Sequence, residues 1–246
     1  RAVVIILDGM SHTELLDGVA AGRTPNIARI VDDAAAVLTG GAISGWPTFS
    51  LPGHATVHTG AYQGHHGLLS NSFVERATGD IVWKVDRPRI PNYVSPIVHR
   101  LGGRDQLVLS GCEKVMSLNP MTGKMLWETK GSTQETVTSI VTDGERIFVS
   151  GGWPKNHVQA LETDGSGKVA WRNISRVYVP SMLVSEGYLY AVMDGGSAMC
   201  WNCKSGERMW KGILGGTFYS SPVLVGDRIH VLNENGGYYE FKADPS

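Results

Sequence analysis

From about residue 90 the chain repeats with a period near 42 residues. A repeat of that length decides the architecture, because one such unit cannot bury its own faces and must stack on the next. The segments YVSPIV, TVTSIV, YVPSMLV and FYSSPVLV align so that Pro96, Ser139, Ser181 and Pro222 are equivalent, at steps of 43, 42 and 41 residues. Three of the four run on into IVTDGERIFVSGG, LVSEGYLYAVMDGG and LVGDRIHVLNENGG. Each is a pair of runs rich in β-branched and aromatic residues around a Gly or acid-Gly turn, and so each predicts a hairpin. A second marker follows in MTGKMLW, GSGKVAW and SGERMW, which place Trp127, Trp171 and Trp210 at intervals of 44 and 39 residues. One unit therefore holds about four short strands.

Four strands per unit, this period and a recurring Trp are the signature of a β-propeller blade, and residues 90–246 allow about four blades. Trp127, Trp171 and Trp210 are expected to pack between successive sheets. With its G-x-hydrophobic-Trp endings and its SPVLVGDRIHV opening, this region resembles PQQ-like repeats, found in quinoprotein dehydrogenases and in the outer-membrane assembly scaffold lipoprotein. The resemblance implies a fold and a platform for a protein or ligand partner more than a chemistry. Members that bind the quinone resemble one another in adjacent cysteines and calcium-binding acids. This chain has no Cys-Cys pair, so no PQQ is expected. An array of about four blades is half the usual size of such repeats, so exposed faces are expected to promote association.

The N-terminal part has a different texture. AVVIIL over residues 2–7 is a continuous apolar run ending at Asp8-Gly9, as in a strand buried on both faces. Thr24 then suits a helix N-cap and Pro25 the first turn, with Ile27, Ile30 and Val31 at helical spacing. In open α/β sheets ligands gather beyond the carboxyl ends of the strands, so Asp8 stands where a catalytic or metal-binding acid would, or is a structural acid in a turn. In WPTFSLPGHATVHTG, residues 46–60, Pro52 and Gly60 bound a short helix of roughly Leu51 to Thr59. Ser50 would sit at its N-terminus, where unpaired N–H groups and the helix dipole favour a phosphoryl group. Ser50 reads either as a nucleophile there or as a cap.

VVIILDGM, TPNIARI, GWPTFSLPGHATVHTG and HHGLLSNSF fall in an order and spacing that resemble the type I phosphodiesterase and nucleotide pyrophosphatase branch of the alkaline-phosphatase superfamily, over residues 1 to about 82. The resemblance implies a partial α/β core of that superfamily, with Asp8 as a metal ligand and Ser50 as both nucleophile and ligand, although nucleotide-hydrolysing members usually carry Thr. It implies that Asn71 binds the phosphoryl oxygens and that the cofactor is zinc, in a two-metal site. The chemistry is coherent: zinc would lower the pKa of the serine, while the Asn71 amide and the helix N-terminus would stabilise charge developing on phosphate. His54 and His58 lie at i and i+4, but position 55 is Ala where a metalloprotease helix needs Glu, so both read as packing or hydrogen-bonding residues. Asp8 and His12 have a ligand-like spacing at the wrong place in the order. The family's two-metal site also needs a downstream acid-to-His motif, an adjacent Asp-His pair and a final His, and this chain contains no Asp-His dipeptide. His99, His157 and His230 lie in the repeat region and are not expected to converge on Asp8.

The fold expectation is therefore an α/β segment over residues 1–85, followed by an all-β propeller of about four four-stranded blades over 86–246, with the junction between 72 and 92. VERATGDIVWKV, residues 74–85, fits either part, since Trp83 lies 44 residues before Trp127. With 22 Lys plus Arg against 23 Asp plus Glu, the net charge of -1 offers no field to recruit nucleic acid or anionic lipid. No apolar run reaches the roughly 18 residues of a membrane span, and no signal peptide opens the chain. Either the protein is cytoplasmic or a leader lies upstream of residue 1; the resemblance implies a periplasmic or secreted protein. Cys200 and Cys203 form C-x-x-C at a predicted strand end, without the helix N-terminus of a redox pair or a second pair for zinc, so both read as structural. The expected function is a hybrid derived from a metal-dependent phosphodiesterase or phosphatase, inactive as the chain stands. Its substrate, if active, would be a phosphate ester. The alternative is a non-enzymatic propeller that binds a protein partner.

Overall fold

The computed structural model describes residues 17, 20–22, 81–88, 90 and 92–246, together with the backbone of strands at 68–69 and 72–74. The expected α/β core, with Asp8 and the helix after Ser50, lies outside the described residues.

The described chain is almost entirely antiparallel β. A three-stranded sheet of β1 (Leu68–Leu69), β2 (Ser72–Val74) and β3 (Ile81–Lys84) comes first. Three four-stranded meanders follow. They comprise β4 (Ile97–Leu101), β5 (Arg104–Gly111), β6 (Lys114–Leu118) and β7 (Met125–Lys130); β8 (Val141–Thr142), β9 (Arg146–Gly151), β10 (His157–Glu162) and β11 (Val169–Asn173); and β12 (Leu183–Ser185), β13 (Tyr188–Val192), β14 (Ser197–Asn202) and β15 (Arg208–Ile213). The last sheet has three strands, β16 (Val223–Val225), β17 (Arg228–Leu232) and β18 (Tyr238–Lys242). Residues 92–246 contain no helix. Successive four-stranded sheets of this kind are consistent with the blades of a β-propeller. The repeat had predicted about four four-stranded units; three are four-stranded and the fourth has three strands.

The sheets stack because their middle strands are apolar on both faces. In β9, Ile147 and Val149 join Val108, Val115, Trp127 and Leu161 in a core between the β4–β7 and β8–β11 sheets. Phe148, which points the other way, joins Val158, Ala160, Leu189, Met199 and Trp201 between the β8–β11 and β12–β15 sheets. Period-2 alternation thus buries every residue of β9 after Arg146. Serines just ahead of each first strand tie neighbouring repeats: Ser139 N donates to Ser181 Oγ at 3.0 Å, and Ser181 N donates to Ser221 Oγ at 2.9 Å.

The recurring Trp is explained by a contact with the following repeat. Trp171 Nε1 donates to Cys203 O at 2.8 Å, and its ring covers Gly206, where a Cβ would come within 2.5 Å of the indole. Trp83 does the same two sheets earlier, donating to Pro120 O at 3.0 Å over Gly123. Both glycines also have positive φ, 72° and 67°, so neither sterics nor backbone allow another residue there. Each Trp lies on the last strand of one sheet and each Gly in the turn before the last strand of the next. Trp and Gly must therefore recur together, and a period near one sheet is the result.

Trp127 keeps the glycine, its ring lying 3.0 Å from where a Cβ of Gly167 would be, but departs from the rule in its hydrogen bond. Its Nε1 donates to Gln106 Oε1 at 2.7 Å, and Gln106 Nε2 donates to Leu101 O at 2.9 Å and to Thr163 O at 3.3 Å. Ser117 Oγ donates to the same Gln106 oxygen at 2.7 Å. A carboxamide is thereby inserted between the indole and the next repeat's carbonyl.

Candidate functional site

Asp8, Ser50 and Asn71 all lie outside the described residues, so the described geometry bears on whether the propeller-like sheets bring further ligands or catalytic groups. His99 is exposed on β4, His157 is buried on β10 and His230 is half-buried on β17, in three different sheets. Among the described residues, no three His, Cys, Asp or Glu side chains are grouped so that they could hold a metal ion. The His230 ring is engaged locally: Nδ1 pairs with the Tyr238 hydroxyl at 2.5 Å, and that hydroxyl donates to Glu240 Oε2 at 3.0 Å. Arg228 holds the other Glu240 oxygen at 3.0 Å. A zinc ion of the kind the family implies does not fit these residues, which offer one imidazole already bonded and one carboxylate already paired.

The cysteines are free and buried. Burial pushes the Cys200 thiol up to about 11, with the Tyr190 hydrogen bond acting the other way. Burial, then the Asp143 carboxylate, pushes Cys203 up to about 12. Neither is a thiolate at neutral pH, and a thiol is neither a good nucleophile nor a zinc ligand. A shallow open groove between β15 and β18 is lined by Trp210, Leu214, Phe241, Lys242 and Asp244. Its two charges pair with each other at 3.3 Å, which leaves no reactive group facing the groove.

The sheets do enclose one polar seam. β10 turns His157, Gln159 and Leu161 toward the β4–β7 sheet. Gln159 stands opposite Val149, as Met199 stands opposite Ala191 and Tyr239 opposite Val231, so an amide occupies a position that is otherwise apolar or aromatic. His157 and Gln159 are both fully buried. Neither His157 nitrogen makes a well-formed hydrogen bond, and neither does the Gln159 amide. Burial, with the nearby Arg172 charge, lowers the His157 pKa to about 4, slightly opposed by the Lys155 backbone. Gly131 and Gly151 make the space: a Cβ at Gly151 would lie 2.4 Å from Thr133 Oγ1 and 2.8 Å from His157 Cε1, and one at Gly131 would lie 3.2 Å from Gln159 Oε1. A fully enclosed neutral imidazole cannot meet a substrate, so the seam is structural. The sequence signal for it was a Gln and a His inside an otherwise apolar strand, HVQALE.

A family model for type I phosphodiesterase / nucleotide pyrophosphatase matches residues 2–163, well over half of the chain. The chain belongs to the type I phosphodiesterase / nucleotide pyrophosphatase family. The match takes in Asp8, Ser50 and Asn71 and runs on through β10. A second model, described as outer membrane protein assembly factor BamB, matches residues 166–245. The chain is thus a hybrid at the level of family likeness. Among solved structures, BamB from Moraxella catarrhalis is similar with a TM-score of 0.49 and 11% identity, over 70% of this chain and 66% of that one. The computationally designed Ika8 protein gives 0.52 and 11%, over 70% of this chain and 52% of that one. The designed Ika4 protein gives 0.53 and 10%, over 67% and 99%. Likeness to the designed proteins at such identity concerns the fold alone. The chain spans just under two thirds of BamB and about half of Ika8. No curated protein sequence matches it.

Proposed function

We propose that the chain is a hydrolase-derived hybrid in which Ser50 is the inherited nucleophile, Asp8 and Ser50 are inherited zinc ligands and Asn71 is the inherited phosphoryl-oxygen donor. The observation that carries this reading is the phosphodiesterase-family match over residues 2–163, which contains all three. The substrate class is a phosphate ester. Catalytic zinc sites keep three protein ligands and one open position, so Asp8 and Ser50 alone hold the ion weakly and turnover is low. No PQQ is bound in this reading. The test is hydrolysis of bis(4-nitrophenyl) phosphate with added zinc, alongside Ser50→Ala and Asp8→Ala. Turnover near background, equal in all three proteins, is expected. Robust turnover abolished by either substitution would show that other residues complete the site.

A second reading rests on the BamB-like match over residues 166–245: the stacked sheets act as a binding platform for a protein partner in a cell-envelope, periplasmic setting. A net charge of -1 argues against nucleic acid as that partner. No helix among the described residues is long and apolar enough to cross a membrane.

A further inference from the structure

The loop between β9 and β10 displays a largely exposed aromatic side chain. The corresponding turn between β5 and β6 is only Cys112-Glu113, whereas residues 152–156 carry Trp153 outward with 57% of its surface exposed. Tyr93, at the start of the first four-stranded repeat, is 59% exposed. Large aromatic surfaces are costly in water and are enriched where a partner covers them.

The segments that carry these rings are paired with the chain at Glu135 and Thr136. Glu135 and Trp153 form an antiparallel bridge, with Glu135 N donating to Trp153 O at 3.4 Å, and residues directly opposite in such a pair project to the same side. Tyr178 donates its hydroxyl to Glu135 Oε2 at 2.9 Å, and its ring lies against Gly152. Tyr93 N donates to Thr136 O at 2.9 Å, which brings Tyr93 beside the same acid. Glu135 Oε1 has no hydrogen-bond partner among the described residues. The cluster already contains one example of the contact it favours: the Arg176 guanidinium lies 5.6 Å from the Tyr178 ring centroid. Burial and the Glu135 carboxylate raise the Tyr178 pKa, which keeps its hydroxyl a donor to Glu135.

We propose that Trp153, Tyr93 and Glu135 form a docking site for an arginine side chain of a partner polypeptide. The free carboxylate oxygen would take the guanidinium N–H groups, and the exposed rings would cover its faces. Arginine is favoured over lysine because its planar group can be stacked and hydrogen-bonded at once. This site lies within the matched span 2–163 but shares no residue with Asp8, Ser50 and Asn71, so it stands or falls without their chemistry.

The probe is the peptide acetyl-Gly-Arg-Gly-amide, with its citrulline analogue as the neutral isostere, titrated into the full chain and followed by the indole N–H signals of the tryptophans in NMR spectra. The expected result is a shift of the signal that is absent in Trp153→Phe, with a dissociation constant on the order of 1 mM. Citrulline and Glu135→Gln should each weaken it about two- to fivefold, the range of an exposed charged contact. Tyr93→Ala, at an exposed position, should weaken the Trp153 response with an unchanged melting temperature. Equal binding of the two peptides, unweakened binding in Glu135→Gln, or no shift at about 20 mM peptide, well above that constant, would overturn the proposal.

Discussion

Phe148 and Gln159 stand on opposite faces of the β8–β11 sheet, and each faces a neighbouring sheet of the same strand order. On the Phe148 side the core is apolar, from Val158 and Ala160 to Leu189, Met199 and Trp201, and the buried polar pair beside it is satisfied, with Ser150 Oγ donating to Thr138 Oγ1 at 2.9 Å. On the Gln159 side an apolar core of Val115, Ile147, Val149 and Leu161 is joined by the fully buried Gln106, His157 and Gln159. Stacking of repeats thus fixes where side chains meet but not their chemistry. The cost differs accordingly. Gln106 is fully bonded and links two sheets, while His157 and Gln159 are desolvated without well-formed hydrogen bonds, which is unfavourable.

Breaking the apolar interface should have the larger effect. Trp201→Ala removes a 2% exposed side chain from its centre and should destabilise by about 3–5 kcal/mol, lowering Tm by roughly 10 °C, readable by calorimetry. A loss under about 1 kcal/mol would mean that the two sheets are not packed as described.

The polar interface should instead be sensitive to pH. His157 has a folded-state pKa of about 4, below the ordinary value of 6.5. As pH falls, the unfolded chain takes up this proton first. The stability is therefore complete above about pH 6.5 and is lost progressively toward pH 4, by roughly 3 kcal/mol. Urea unfolding at a series of pH values should show this slope, and His157→Leu should remove most of it. An unchanged slope in that variant would place the titration elsewhere.

The smallest effect sharpens the comparison directly. Gln159→Met installs the residue found at the equivalent position 199 and removes an unbonded amide. The stability should be unchanged or up to about 1 kcal/mol higher. A marked loss would show that the amide is bonded in solution.

Much of this organisation was legible in the sequence because its devices recur. The aligned Ser139 and Ser181 and the tryptophans at similar intervals predict a stack of small sheets, and the indole over Gly206 shows why Trp and Gly travel together. The Gln106 relay was not legible, because it joins residues 57 apart in sequence and occurs in one repeat only. The three-stranded last sheet was hidden by the same regularity: LVGDRIHVLNENGG matches its relatives through the hairpin and says nothing about a fourth strand. Asp8, Ser50 and Asn71 were legible only as motifs, through the order and spacing of four short segments. Those motifs are sound evidence of descent, and the family match over residues 2–163 agrees with it. Activity depends on how many ligands converge, and spacing alone does not say.

The central claim is that the stacked sheets add no ligand to Asp8 and Ser50. A competitive zinc titration of the full chain against a chromophoric chelator tests it, with His99→Ala, His157→Ala and His230→Ala measured beside Asp8→Ala. The account predicts weak binding, with a dissociation constant of about 10 µM or higher, reduced by Asp8→Ala and unmoved by the three histidine variants. Stoichiometric zinc held at nanomolar concentration and released by any one of those histidine substitutions would contradict it.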